Sequence, residues 1–352
     1  MTNTPKSGKW KDAFLKSSLP LEYLSADKLR AKGCGIMGEY SYMRENEHGL
    51  AVECSVDVWA MRHYYKHRKE HWGTLNYLVE CKYCHPSVRW VFMQHGKDDT
   101  EYLMDISPVQ VMDHLCTRMI WDKRPIWNLR DRFPMCPKGV EIHSNDATSQ
   151  NIDRGRSQLV YGLPRLISHL AEGEIMKWND VDLEIEMSCP MLVTTAGLFI
   201  LKPGLSLESF LQAKDLADIA GQVPALILTT PYSHMFSDYA DHVISDLHNK
   251  NPEIKKRLKE LRDVSGQTDD FPEVPSNYSF DFFIRECVYR LLVVNYDALE
   301  QVVEVVHKTI LKSARSLQRV GTLEKDMSKR TTWVQPVNRK TGKSQQNNPA
   351  DG

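Results

Sequence analysis

Two residues at alternate positions, Glu80 and Lys82, have the types and the spacing of a catalytic pair. They lie in residues 74–95, a stretch typical of two strands joined by a short turn that contains Pro86. Because side chains alternate faces along a strand, a carboxylate and an ammonium two residues apart would be held as neighbours on one surface. Such a pair suits chemistry in which a carboxylate binds a cation and a lysine stabilises negative charge.

An acidic residue on a strand precedes this pair. Residues 50–60 alternate, and their apolar face consists of Leu50, Val52, Cys54, Val56 and Val58. Asp57 is therefore predicted on the polar side of a half-buried strand. Upstream, residues 25–44 predict a capped helix, weakened by two glycines, that would carry Glu39. The resulting order is a helix glutamate, a strand aspartate and a strand Glu-x-Lys.

This order resembles the PD-(D/E)xK nuclease superfamily, which has a restriction-endonuclease-like fold, over about residues 25–95. The resemblance implies a metal site and a motif lysine, with roles that fall on Asp57, Glu80, Glu39 and the backbone carbonyl of Cys81 as metal ligands and on Lys82 as the lysine. The implied cofactor is Mg²⁺ or Mn²⁺. The implied reaction is hydrolysis of phosphodiester bonds.

The residue types suit that reaction. Mg²⁺ prefers oxygen ligands and is commonly held by one or two carboxylates, water and substrate phosphate. The metal polarises the phosphodiester and lowers the pKa of a bound water, while Lys82 could orient that water or stabilise charge on the phosphoryl oxygens. The alternative for Glu80 and Lys82 is a solvated ion pair on an exposed face, with Asp57 on the wet side of its strand.

Two further groups could contact nucleic acid. A basic run interleaved with aromatics, residues 62–71, is either a solvated loop or a loop that follows phosphates, through Arg62, Lys66, Arg68 and Lys69. Residues 154–170 predict a helix that carries Gln158 and Tyr161. These two either contact substrate, as in some branches of the superfamily, or belong to a packed helix with polar ends.

Cys81, Cys84 and His85 match a pattern for covalent haem attachment, and the two cysteines could also begin a zinc site. Haem attachment normally requires export, and a zinc site would need a second paired set of ligands at comparable spacing. The eight cysteines are scattered along the chain, which predicts reduced thiols.

Composition excludes some classes. The chain has 352 residues and a net charge of −1, so attraction to nucleic acid must come from local patches. The first 24 residues lack the continuous apolar segment of a signal peptide, and no apolar run has the length of a membrane span. The sequence therefore predicts a cytoplasmic protein without a membrane partner.

The predicted fold class is α/β, with a mixed sheet flanked by helices. An N-terminal segment (1–24) precedes a nuclease domain (25–232), a helical C-terminal region (233–322) and a disordered basic tail (323–352). Within these, helices are predicted over residues 108–121, 278–295 and 296–320, and residues 123–149 are predicted to be an irregular connection.

Two functions from different classes follow. The first is a metal-dependent nuclease, acting most simply on DNA, in restriction or in defence against foreign DNA by analogy with the superfamily. The second is a catalytically inactive protein on the same fold that binds nucleic acid or serves as a scaffold. A homodimer and a partner defence protein both stay open.

Overall fold

The computed structural model describes residues 9–45, 49–66, 70–96, 108–113, 129, 132–144, 146–176, 185–231, 233–252, 284–285 and 287–312. The helices are α1 (Lys9–Lys16), α2 (Leu19–Ala31), α3 (Gln150–Met176), α4 (Leu207–Gln212), α5 (Leu216–Ile219), α6 (His234–Lys250) and a helix over 299–312. The strands are β1 (Gly35–Glu45), β2 (Ala51–Lys66), β3 (Glu70–Lys82), β4 (Arg89–Met93), β5 (Gln110–Asp113), β6 (Met135–Cys136), β7 (Lys138–Ile142), β8 (Ala147–Thr148), β9 (Ile185–Thr194), β10 (Gly197–Leu201), β11 (Ala220–Val223), β12 (Ala225–Thr229) and β13 (Arg290–Asn295).

The larger sheet has the order β1-β2-β3-β9-β13-β12-β6, and β5 also pairs with β9. β1, β2 and β3 form an antiparallel meander, whereas β3, β9 and β13 run parallel to one another. The central strands β9 and β13 are buried on both faces, which explains why they read as nearly continuous apolar runs.

The smaller sheet has the order β11-β10-β4-β7-β8, with β10 and β4 parallel and the other pairs antiparallel. The two strands predicted within residues 74–95 are confirmed as β3 and β4. They belong to different sheets, and the turn that contains Pro86 takes the chain from one to the other. The α/β class, with mixed sheets and flanking helices, is likewise confirmed.

Helix α3 packs closely on the larger sheet because it carries two glycines on one face. A Cβ atom on Gly155 would lie 2.5 Å from Leu192 Cδ1, and one on Gly162 would lie 3.1 Å from Val56 Cγ2. Gln158 is three residues after the first glycine and four before the second, so it shares their face. The close approach brings Gln158 to the strands that carry the acidic residues.

The prediction of one long helix over residues 25–44 is wrong. Helix α2 ends at Ala31, and Gly33 then takes a φ of +80°, a left-handed conformation that glycine adopts readily and that commonly ends a helix. The chain continues as strand β1 from Gly35, so Glu39 lies on a strand.

Residues 110–113, predicted within a helix, form strand β5. The predicted irregular connection over 123–149 contains the short strands β6, β7 and β8. Short apolar runs fit a buried strand as well as a helix, and in both places pairing with another strand decides the outcome.

The predicted helix over 278–295 is wrong at its end, because residues 290–295 form β13, a central strand of the larger sheet. The chain beyond residue 232 therefore contributes to the same sheet. The predicted helix over 296–320 is confirmed for residues 299–312, and Leu299, Val303 and Val306 on its apolar face are buried. Met1–Thr309 make up one compact unit, and a second, Ile310–Gly352, is described only for residues 310–312.

Within the described ranges, no helix combines the length and the apolar character needed to cross a bilayer. The seven cysteines in the described part of the chain are free thiols, as predicted. The predicted tail over 323–352 lies outside the described residues.

Candidate functional site

The predicted acidic residues come together where β2 and β3 run side by side. Their antiparallel register pairs Val58 with Val79, so Asp57 and Glu80 are the next residues along each strand. Lys82 follows two residues later, at the end of β3. The predicted placement of all three on neighbouring strands is confirmed.

A β-bulge sets the direction of the Asp57 side chain. The pairing of β1 with β2 shifts register between Gly38 and Tyr40, because β2 contributes one extra residue beside Asp57. Bulges bend a strand and re-aim its side chains. Here Asp57 Oδ2 accepts a hydrogen bond from the backbone N–H of Cys81 at 2.7 Å, which ties the aspartate to β3.

Glu80 is fully buried, and its two oxygens differ. Oε1 accepts a hydrogen bond from Lys82 Nζ, whereas Oε2 is buried and has no hydrogen-bond partner within the described part of the chain. Burial raises the pKa of Glu80 to about 8, and the Asp57 carboxylate adds to the rise, while Lys82 and the backbone N–H of Asp57 oppose it. This carboxylate is poorly satisfied by the protein alone.

Lys82 is held from a second side by helix α3. Its Nζ donates to Gln158 Oε1 at 2.9 Å, and Gln158 Nε2 donates to the backbone carbonyl of Ser55 at 3.1 Å. The Tyr42 hydroxyl donates to the backbone carbonyl of Gln158 at 3.1 Å. The lysine, 18% exposed, is thus fixed between two strands and a helix.

Asp57 is half-buried, and burial raises its pKa above the ordinary value. The Cys81 N–H and the Lys82 charge oppose that rise, while Glu39 contributes to it. Burial therefore makes the charged form of Asp57 less favourable than that of an exposed aspartate.

A further carboxylate, Glu22, was missed by sequence reasoning. It is half-buried in the first turn of α2, and burial raises its pKa to about 7. The charges of Asp57 and Glu39 contribute to that rise and Lys82 opposes it, which places Glu22 within the same electrostatic cluster. Pro20, two residues before Glu22, is a sequence sign of a helix start.

The first residue before α2 holds this helix against β3. The Ser18 hydroxyl accepts a hydrogen bond from the backbone N–H of Tyr83 at 3.4 Å, directly after Lys82. Ser18 adopts a left-handed φ of 63°, which a non-glycine residue takes up only where surrounding contacts hold it. This contact brings the first turn of α2, and with it Glu22, to the end of β3.

Glu39 acts electrostatically on the acidic cluster, but it does so from a strand and not from the predicted helix. It is an exposed residue of strand β1 rather than a helix carboxylate. Its charge nevertheless raises the pKa of both Asp57 and Glu22. The helix carboxylate in the structure is Glu22.

The predicted basic loop is largely strand. Residues 62–66 end β2 and 70–71 begin β3, so the loop prediction is wrong there. Arg62 bonds inside the protein, to the Lys32 carbonyl and, at 2.5 Å, to His307 Nδ1. Lys66 lies in the strand, and Arg68 and Lys69 lie outside the described residues.

Gln158 and Tyr161 face different partners. Gln158 reaches Lys82, whereas the Tyr161 ring lies 4.8 Å from that of Tyr239 in α6 and 5.0 Å from Arg44 Cζ. Three residues turn a helix by about 300°, so the tyrosine is rotated about 60° from the glutamine. Tyr161 packs helices α3 and α6 together, and only the glutamine joins the site.

Cys81 and Cys84 are buried, and His85 is exposed. The Cys81 backbone amide serves the site through its bond to Asp57. The Cys84 amide donates to Thr195 Oγ1 at 2.8 Å, and His85 Nδ1 bonds to Ser87 Oγ at 2.8 Å. Each of the three thus has a local partner.

The chemistry of the cluster fits a hard divalent cation. Burial raises the pKa of Glu22, Asp57 and Glu80; the Asp57 charge adds to the rise at the two glutamates, the Glu39 charge adds to it at Asp57, and Lys82 opposes all three. A cation would relieve the repulsion and satisfy the orphaned Glu80 oxygen. In the described part of the chain, no three His, Cys, Asp or Glu side chains already stand in a metal-ligating arrangement.

Comparison with family models, with curated proteins and with solved structures gave no match.

Proposed function

We propose that this chain is a divalent-metal-dependent nuclease that hydrolyses phosphodiester bonds, on a restriction-endonuclease-like fold. The observation that carries the proposal is the convergence of Asp57, Glu80 and Lys82 from two adjacent strands. The order of a helix glutamate, a strand aspartate and a strand Glu-x-Lys also supports it, with Glu22 as the helix residue. DNA is the first substrate to test.

In this proposal the carboxylates would hold the metal and the lysine would contact the phosphate. Asp57, Glu80 and Glu22 would hold Mg²⁺ or Mn²⁺, which when bound supplies a Lewis acid and a water of lowered pKa. Lys82 would donate hydrogen bonds to the phosphoryl oxygens, and Gln158 restricts the position of its ammonium. To do so, the lysine would exchange its contact with Glu80 for one with the substrate, which would leave the Glu80 carboxylate available to hold the cation.

One observation favours the alternative, a catalytically inactive binding protein. Glu80 has no exposed surface, and its Oε1 is already occupied by Lys82. In an inactive protein this ion pair would be permanent and purely structural. In an active enzyme it opens when metal and phosphate bind.

Cleavage assays separate the two. Supercoiled plasmid and a structured RNA are incubated with Mg²⁺ or Mn²⁺, with and without EDTA, and with wild type, Asp57→Ala and Lys82→Ala. The nuclease proposal predicts cation-dependent cleavage that falls about 100-fold or more in each variant, because each removes a group that stabilises the transition state. Glu53→Ala, which removes an exposed carboxylate from the same strand, is the matched control and should cleave like wild type. Equal cleavage by all four proteins would remove the proposal.

A further inference from the structure

Helices α1 and α2 expose aromatic side chains that no described part of the chain covers. Trp10 is 53% exposed, Phe14 47% and Tyr23 63%. Every residue of α1 from 10 to 16 is exposed, so none of these seven side chains lies in the core. Isolated helices of this length are marginal in water, and clustered exposed apolar groups commonly mark a binding surface. We call Trp10, Phe14 and Tyr23 the aromatic surface.

The aromatic residues have helical spacing, and lysines lie beside them in the sequence. Trp10 and Phe14 are four residues apart, so they share one face of α1, and Leu19 and Tyr23 have the same spacing in α2. The eight residues of α1 include three lysines and one aspartate. Lys11 Nζ lies 5.8 Å from the centroid of the Trp10 ring, which places a cation beside an exposed π face.

Tyr23 is the residue of the aromatic surface that lies nearest the acidic cluster in the chain. It directly follows Glu22, whose pKa is raised first by burial and then by the charges of Asp57 and Glu39. The residue before α2 is hydrogen-bonded to the backbone N–H of Tyr83, which directly follows Lys82. A nucleic-acid strand with a phosphate at Lys82 would therefore have its neighbouring nucleotides beside the start of α2.

We infer that the aromatic surface binds unpaired bases, and that the substrate of the proposed nuclease is single-stranded or end-frayed nucleic acid. This inference rests on the proposed function for its link to cleavage. Bases stack on aromatic side chains without regard to sequence, and each stack contributes about 1–3 kcal/mol. A closed duplex hides its base faces, so it cannot use this surface. Lys11 and Lys16 of α1, which are both exposed, supply the attraction to phosphate.

Binding is measured in EDTA, so that it is independent of cleavage. The probes are a labelled oligothymidylate and a blunt duplex of the same phosphate count, and the proteins are wild type, Trp10→Ala/Tyr23→Ala and Phe210→Ala. Phe210 is 41% exposed on α4 and serves as the matched control for loss of an exposed aromatic. We expect the double variant to bind the oligothymidylate at least about 30-fold more weakly, from the loss of two stacks, with duplex binding and the Phe210→Ala protein unchanged.

Several results would overturn the inference. These are unchanged oligothymidylate binding by the double variant, an equal loss on the duplex, and an equal loss in Phe210→Ala. Vesicles of phosphatidylglycerol and phosphatidylcholine, together with light scattering, test the other occupants. A double variant that loses vesicle binding or self-association but keeps the oligothymidylate shows that the surface serves a membrane or a second copy. If wild type binds the oligothymidylate as expected but cleaves nothing, the nuclease proposal fails and the binding surface stands.

Discussion

Two glutamates of this chain, Glu80 on β3 and Glu141 on β7, are both fully buried, yet they differ in how far hydrogen bonds compensate their charge. Glu141 accepts hydrogen bonds from the backbone N–H groups of Asn151 and Ile152 at 2.5 and 3.2 Å, and from Asn151 Nδ2 at 2.7 Å. Glu80 Oε1 accepts from Lys82, and the backbone N–H of Asp57 also favours the charged form, but Oε2 has no hydrogen-bond partner among the described residues.

The two glutamates differ in whether the fold compensates the burial of their charge. The first turn of α3 has N–H groups without helical partners, and Glu141 satisfies them where the positive end of the helix dipole also favours an anion. Its burial is therefore compensated within the fold. Glu80 is buried beside another carboxylate and remains incompletely bonded, which destabilises the charged form. We propose that this uncompensated carboxylate belongs to the metal site described above.

Cleavage activity should give the largest contrast. Glu80→Gln removes a proposed metal ligand, and we expect cation-dependent cleavage to fall about 100-fold or more. Glu141→Gln should cleave like wild type at temperatures well below its unfolding transition. Comparable losses in both variants, in assays where circular dichroism confirms that both are folded, would show that the comparison is mistaken.

Stability without a divalent cation should change in opposite directions. Glu141→Gln loses the anion at the helix start and leaves a buried donor unsatisfied, which should lower the free energy of unfolding by about 1–3 kcal/mol. Glu80→Gln mimics the protonated form that the folded state prefers, so above pH 8 it should unfold at the wild-type temperature or higher. Thermal unfolding in EDTA measures both, and a lower midpoint for Glu80→Gln than for Glu141→Gln would refute this reading.

The pH dependence should follow the two most perturbed carboxyl groups. Glu22 and Glu80 have pKa values raised from 4.5 to about 7 and about 8, so between these limits the folded protein keeps protons that the unfolded chain has released. Rising pH across this window therefore lowers stability. Mg²⁺ competes with those protons, so its stabilising effect should grow from pH 5.5 to 8. In Glu22→Gln the growth should be smaller, and a cation effect that does not vary with pH would count against the cluster.

The smallest effect concerns the glycines that let α3 approach the sheet. Gly173→Ala meets no atom within 4 Å and should stabilise the helix by about 0.5–1 kcal/mol. Gly155→Ala has the same gain in helix propensity but places its Cβ 2.5 Å from Leu192 Cδ1, and overpacking of this kind costs about 1–3 kcal/mol. In urea unfolding, Gly173→Ala should therefore raise the free energy of unfolding and Gly155→Ala should lower it. Equal stabilisation would mean that the packing at Gln158 is looser than described.

The central part of the site could be predicted because it depends on strand periodicity alone. Alternation along β2 and β3 fixes the shared location of Asp57, Glu80 and Lys82 once the strands pair. The bulge beside Asp57 could not be predicted, since it arises from pairing with β1. The orphaned Glu80 oxygen likewise depends on how α3 packs.

Other predictions were wrong for physical reasons that the structure identifies. The sequence pattern predicts a helix carboxylate at Glu39 because glycine can weaken a helix without ending it, whereas the positive φ of Gly33 ends α2. Glu22 lies in the N-terminal segment, for which the sequence pattern predicts no element. The run Leu291–Val294 fits a helix or a strand by hydrophobicity alone, and its place between β9 and β12 is a property of the whole sheet.

The most direct test is Mn²⁺ binding, followed by electron paramagnetic resonance and by calorimetry at pH 8, without nucleic acid. Wild type and Glu141→Gln should bind the ion with the same stoichiometry and affinity. Asp57→Ala and Glu80→Gln should each weaken that binding at least about 10-fold, the usual scale for loss of a group that supports a metal site. Mn²⁺ bound equally by all four proteins, or by none, would contradict the assignment of Glu80 and its neighbours as a metal centre.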